Sequence, residues 1–120
     1  MRDGGYSAAL KAATKAAEAA AELLLAECAR ETGPRGSIGH CPADIEAENV
    51  IRSILTDAFP RWGYRGEETG YRPPADGEIH VWVVDPNDGT EAMQRGYRGS
   101  AVSIALLREG VPPSSESFGR

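Results

Sequence analysis

The chain has 120 residues, a formal charge of −5, 41% hydrophobic and 26% charged residues, a composition suited to one small globular domain. No apolar run approaches the roughly 18–20 residues that span a bilayer, and Met1-Arg2-Asp3-Gly4-Gly5 puts an acid and two glycines where a secretory signal needs apolar residues. The acidic balance argues against nucleic-acid binding, and two cysteines, Cys28 and Cys41, are too few for a disulfide framework, which favours a reducing cytoplasm.

The first element is a helix from about Ser7 to Arg30, rich in Ala, Leu, Glu and Lys. Leu10, Ala17, Ala21, Leu24 and Cys28 recur at helical steps and are expected to form its apolar stripe, with Lys11, Lys15, Glu18 and Glu22 on another face. The Gly-rich segment 33–39 ends it. A second helix is expected from about Pro42 to Ala58, because Pro42 suits a first turn and Pro60 blocks continuation. Its buried face should carry Ala47, Val50, Ile51, Ile54, Leu55 and Ala58. Asp44 and Glu48 stand one turn apart near its start. They read either as an acidic first turn that suits the helix dipole or as the border of a metal site.

From Phe59 onward strands and turns take over. Residues 62–65 read as a short strand entering Gly66-Glu67-Glu68, and Thr69 to Glu78 as an exposed loop rich in Gly and Pro. Ile79 to Val84 is a β-branched and aromatic run suited to a central strand. Residues 91–95 read as a short helix, residues 101–108 as another strand, and Glu109-Gly110 as a hairpin turn. The layout is α+β: two N-terminal helices packed on an antiparallel sheet.

Asp85-Pro86-Asn87-Asp88-Gly89-Thr90 follows the central strand directly. The strand fixes Asp85, Pro86 restricts the exit and Gly89 permits a sharp turn. Asp85 and Asp88 then repel each other unless cations lie between them, and oxygen ligands suit Mg²⁺ or Mn²⁺ better than zinc. Glu67 and Glu68 add carboxylates from a neighbouring strand end, Thr90 a hydroxyl, and N–H groups from Gly89 onward an anion site. This combination points to metal-assisted phosphoryl transfer to water; a calcium-binding or purely structural acidic turn is the alternative. Cys28, His40, Cys41 and His80 lack zinc-ligand spacing, and Ser100 and Ser103 lack a histidine–acid arrangement. Arg61, Arg65, Arg72, Arg95 and Arg98 read as scattered surface charge or as a field attracting a phosphorylated substrate, while Phe59, Trp62 and Trp82 read as core.

Asp85-Pro86-Asn87-Asp88-Gly89-Thr90, preceded by Gly66-Glu67-Glu68 and followed by Ala101-Val102-Ser103-Ile104-Ala105-Leu106, resembles the inositol monophosphatase family of Mg²⁺-dependent, lithium-sensitive phosphomonoesterases. The resemblance runs from the paired helices to Val111-Pro112. It implies the N-terminal portion of a layered αβαβα sugar-phosphatase fold, over residues 1–111. It also implies that Glu67, Asp85 and Asp88 are metal ligands, with the main-chain carbonyl of Asn87, which stands where the family more usually has Ile or Leu. Glu67, Thr90 and Asp85 would be catalytic, Glu67 and Thr90 by orienting the attacking water. Gly89 and Thr90 would bind phosphate through their N–H groups, and Asp44 and Glu68 would border the site or hold a third metal. The expected partners are a small phosphorylated metabolite and a second copy in a homodimer, with neither nucleic acid nor membrane.

The family's later Trp-Asp motif, which supplies another metal-ligating aspartate, does not occur within these residues. The resemblance therefore implies a truncated form with an incomplete metal site, leaving Val81, Val83, Val102, Ile104 and Leu106 underburied. Residues 112–120 read as an irregular polar tail where the family would continue with a strand such as Pro-Val-Leu-Gly-Val-Val. One codon series encoding Pro112 to Phe118 yields that sequence when read from its third base, so a frame change here is expected. Two functions follow as expectations: Mg²⁺-dependent hydrolysis of a small phosphate monoester, or an inactive fragment that pairs with another chain as an interaction module.

Overall fold

The computed structural model describes residues 4–33, 35–36, 42–88, 101–108 and 117–118. Two helices, α1 (Gly4–Cys28) and α2 (Pro42–Ala58), precede strands β1 (Gly63–Gly66), β2 (Gly70–Arg72), β3 (His80–Asp88), β4 (Ala101–Arg108) and β5 (Ser117–Phe118). The sheet order is β2-β1-β3-β4-β5. Helix α2 and strand β4 have the bounds that the sequence pattern predicts. The expected short helix at 91–95 and the turn at Glu109-Gly110 fall outside the described residues.

Helices and sheet meet through small residues on one side and large ones on the other. Ala9, Ala13, Ala16, Ala17 and Ala20 of α1 are buried, as are Ala43, Ala47, Ile51 and Leu55 of α2, so the two helices approach closely. Beneath them β3 presents Trp82 and Val84, β4 presents Val102, Ile104 and Leu106, and β1 presents Tyr64. Alternation along each strand puts these residues on one face. Cross-strand partners Trp82↔Leu106 and Val84↔Ile104 lie directly opposite each other. The expectation that Val102, Ile104 and Leu106 would be underburied is corrected: the two helices cover them. Val81 and Val83, on the opposite face, remain half-buried. Phe59, Trp62 and His80 stack in series at the edge of this core, with ring centroids 4.0 and 4.7 Å apart.

The buried stripe of α1 also differs in phase from the expected one. Leu10 is 48% exposed, whereas Ala9, Ala13, Ala16, Ala20, Leu24 and Glu27 face inward. In an alanine-rich helix nearly every face has apolar residues, so periodicity alone leaves the phase open. The partner that settles it is polar. Glu27, only 4% exposed, accepts hydrogen bonds from the Arg35 backbone N–H at 2.6 Å and from Arg35 Nη2 at 2.7 Å. Arg35 reaches on to Glu46 of α2 at 2.7 Å, tying the interhelical connection to both helices.

Sheet connectivity departs from an all-antiparallel arrangement in one pairing. β1 pairs antiparallel with β2 but parallel with β3, in register Gly66↔Val84. β2 lies inside the stretch expected to be loop. Gly66 and Gly70 close a three-residue hairpin, and Gly70, the first residue of β2, has φ +89°, a left-handed conformation that glycine adopts without strain. Segment 67–79 then acts as the crossover of about a dozen residues that a parallel pairing requires. Its return is tethered by Ala75 N–H to the Arg61 carbonyl at 2.9 Å. β3 pairs antiparallel with β4, with an irregularity between Asp85 and Asp88, and Ser117–Phe118 of the polar tail pairs with Ile104 and Ala105 of β4.

Replacing Leu24 by Ala should lower the unfolding free energy by about 3 kcal/mol, whereas Leu10→Ala should change it by less than about 0.5 kcal/mol. Urea denaturation checks this, and equal effects would contradict the observed helix phase. The Arg35 hydrogen bonds hold the Glu27 carboxyl below its ordinary value of 4.5. The resulting stability is complete above that pH and is lost as pH falls through the lowered folded-state pKa. Arg35→Gln should therefore reduce the melting temperature at neutral pH, with the gap closing as the solution is acidified below about 4.5, as thermal scans across pH would show.

Candidate functional site

The parallel pairing of β1 with β3 brings two chemically important strand ends together. Where Gly66 meets Val84, the next residues along each strand are Glu67 and Asp85, and the Glu67 N–H donates to the Val84 carbonyl at 3.1 Å. Both carboxylates therefore follow directly on the last paired residues of the two parallel strands. They line one cleft of about 300 Å³ together with Arg65, Gly66, Val83, Val84, Ser103 and Ala105. The cleft lies towards the sheet face opposite the helices, since Val83 and Asp85 alternate with the inward-facing Trp82 and Val84.

Pro86 is fully buried and lies at the irregularity of β3, where its missing N–H interrupts no regular ladder bond. The backbone continues as strand through Asn87 and Asp88, and Asp88 pairs in register with Ala101. The side chains of Asn87 and Asp88, together with Gly89 and Thr90, lie outside the described residues. Among the described residues no group of three or more His, Cys, Asp or Glu converges tightly enough to enclose a metal ion.

Asp44 and Glu48 do not form an exposed acidic turn. Asp44 is 3% exposed and Glu48 has no exposed surface, so both share the buried side of α2 with Ala47, Ile51 and Leu55. The Glu48 carboxylate accepts hydrogen bonds from Glu68 N–H and Thr69 N–H, each at 2.8 Å, and from the Thr69 hydroxyl. One helical turn further on, Arg52 donates to the Thr69 carbonyl at 3.0 Å and to Thr69 Oγ1 at 2.9 Å. The Arg52 guanidinium also lies 4.9 Å from the centre of the Tyr64 ring. Two successive side chains of α2 thus hold the turn that carries Glu67 and Glu68.

Gly66 makes this approach feasible. A Cβ at that position would collide with the Glu48 carboxylate and lie 2.8 Å from Tyr64 Cε1. Burial, and then the charge of Glu48, push the Tyr64 hydroxyl well above its ordinary pKa. Glu68 responds to the same crowding. Partial burial comes first, followed by the charges of Asp44, Glu48, Glu67 and Asp85, and together they raise its carboxyl above the ordinary value.

Of the residues singled out from the sequence, the structure therefore gathers Glu67 and Asp85 in one cleft and sets Glu68 within electrostatic reach of them and of Asp44. The sequence offers Glu48 with Asp44 as a border of a metal site but gives it no part in the ligand or catalytic set, and it passes over Arg52 and Thr69. A usable signal existed: Asp44 and Glu48 occupy positions in register with the apolar Ile51 and Leu55, where an ordinary acidic surface turn would not place them. Of the arginine set, Arg65 lines the cleft and lies 5.4 Å from the Tyr71 ring, while Arg61 donates to the Asp76 carbonyl at 2.7 Å.

The chain and its fold resemble those of known proteins. The family model for the inositol monophosphatase family matches residues 2–114. An inositol-1-monophosphatase from Caulobacter vibrioides is 46% identical over 68 residues, which are 57% of this chain and 26% of that protein. A Xylella fastidiosa protein named Nus factor SuhB is 40% identical over 75 residues, 62% of this chain and 26% of its own length. Among solved structures, the extragenic suppressor protein suhB from Bartonella henselae superposes with a TM-score of 0.78 at 31% identity, covering 87% of this chain and 42% of that one. An inositol monophosphatase from Anabaena gives 0.69 at 35% identity, covering 86% and 36%. The chain thus spans about a quarter of these curated relatives and about two-fifths of the solved structures it matches. On the family match across residues 2–114, with the fold shared by these structures, the chain belongs to the inositol monophosphatase family.

Proposed function

We propose that the chain carries the metal-binding half of a Mg²⁺-dependent phosphatase acting on small phosphate monoesters. The observation that supports this reading is the convergence of Glu67 and Asp85 at the ends of the parallel strands β1 and β3, beside one cleft. The donor chemistry fits Mg²⁺. Asp44, Glu67, Glu68 and Asp85 offer only hard oxygen atoms, and the mutual repulsion that raises Glu68 is what a divalent cation relieves.

Glu67, Asp85 and Asp88 would hold the metal with the Asn87 carbonyl, and Asp44 and Glu68 would border it. Bound Mg²⁺ would supply a Lewis acid for the phosphoryl oxygens and lower the pKa of water. Glu67 and Thr90 would orient the water that attacks phosphorus, and the N–H groups of Gly89 and Thr90 would bind the phosphate. The P–O ester bond breaks, the alcohol leaves with a proton, and inorganic phosphate is the second product. A cytoplasmic setting and lithium sensitivity belong to the same reading.

An interaction module is the second reading. Two observations favour it: a relative carries the name Nus factor SuhB, and Val81, Val83 and Leu107 leave a half-buried apolar strip on the sheet face away from the helices. Phosphate release from inositol monophosphate and other small monoesters, followed with and without Mg²⁺, separates the two. Mg²⁺-dependent turnover that falls to background in Asp85→Asn is the expected result. Absence of turnover at every Mg²⁺ concentration would leave the module reading.

A further inference from the structure

We infer that Glu48 is a positioning residue for the metal site: it fixes the 67–69 turn, and so the direction in which Glu67 and Glu68 present their carboxylates. The inference rests on the phosphatase reading and adds to it a residue that itself belongs to neither the cleft nor the ligand set.

Several observations lead to this assignment. Glu48 has no exposed surface, so its carboxylate has no water to solvate it and must be satisfied from within the protein. It is satisfied almost wholly by one short turn: two consecutive backbone N–H groups, of Glu68 and Thr69, at 2.8 Å each, and the Thr69 hydroxyl. A carboxylate accepting from two adjacent amides and a neighbouring hydroxyl fixes the two peptide planes to which those amides belong. These peptides join Glu67 to Glu68 and Glu68 to Thr69, so they set the backbone on which both glutamates stand. From the other side the Glu67 N–H is bonded to Val84, so the turn is held at both ends, by β3 and by α2.

The close approach also needs a particular backbone. Gly66 leaves the space that the carboxylate fills, and a side chain there would collide with it. Arg52 reinforces the hold through the Thr69 carbonyl and hydroxyl. All three bonds accepted by Glu48 come from the two residues that follow Glu67, so a change at Glu48 acts on the backbone that presents Glu67 and Glu68. Groups that orient metal-binding side chains in this way affect metal affinity although they do not touch the ion.

The test uses the full 120-residue chain and two variants, Glu48→Gln and Thr69→Val. Mg²⁺ affinity is measured by calorimetry, and amide hydrogen exchange at Glu68 and Thr69 by NMR. Glu48→Gln should weaken Mg²⁺ binding about tenfold or more and speed exchange at those two amides, with the amides of β3 and β4 unchanged. Thr69→Val keeps every carboxylate and removes the hydroxyl with its bonds to Glu48 and Arg52, so it should give a smaller loss in the same direction even if Glu48→Gln folds poorly. Native affinity in both variants, or a loss in Glu48→Gln alone, overturns the positioning role, the second because it would reflect a missing charge and not a displaced turn. Failure of the native chain to bind Mg²⁺ at all sinks the metal reading and this inference with it, an outcome distinct from the other two.

Discussion

The site depends on a buried carboxylate answered by a backbone turn. Burying an ionised Glu48 is costly unless each oxygen is satisfied, and the fold satisfies them with the N–H groups that follow the end of β1. The consequence runs in both directions. Helix α2 cannot shift along the sheet without breaking those bonds, and β1 cannot carry a side chain at position 66 without displacing the Glu48 carboxylate from them. The parallel partner β3 adds the remaining constraint through Val84, so three elements meet where Glu67 and Asp85 emerge. Carboxylates presented from strand ends need this kind of over-determination to keep a fixed separation, because small displacements change what they can bind.

Much of this was legible in the chain before any coordinates. α2 has its predicted bounds because Pro42 and Pro60 bracket an unambiguous apolar pattern, and β4 because its eight residues alternate cleanly against a buried face. The Asp85 to Thr90 motif and Gly66-Glu67-Glu68 pointed to the family, and the chain belongs to it. What the pattern could not provide was placement. In α1, alanines occur on every face, so the inward phase was set by Leu24 and by the Glu27–Arg35 pair, a contact across the connection that no periodicity reports. β2 was hidden because a three-residue strand has no alternation to read and its pairing depends on the positive φ of Gly70. The parallel pairing of β1 with β3 follows from that hidden hairpin, since β2 carries the chain back before β3 begins.

The two faces of the sheet differ in a way that bears on what the family fold contributes here. On the helix side Trp82, Val84, Val102, Ile104 and Leu106 are buried beneath alanines and α2, forming a core without the rest of the relatives' length. The other side carries the half-buried Val81, Val83, Ala105 and Leu107 and the cleft with Arg65, Glu67, Asp85 and Ser103. Structural and chemical roles are therefore divided between faces of the same strands. Residues at even positions of β3 up to Pro86 maintain the fold, while Asp85 at an odd position faces the cleft, so a one-residue slip in register would exchange the two sets. Pro86 and the irregularity beside it mark where that strict alternation ends, immediately beyond the aspartate whose position it must protect. The regular part of β3 thus fixes Asp85 against β1 and β4. The irregular part interrupts the β3–β4 ladder between Asp85 and Asp88 before Asp88 pairs again with Ala101, so the regular spacing of the strand ends at Asp85.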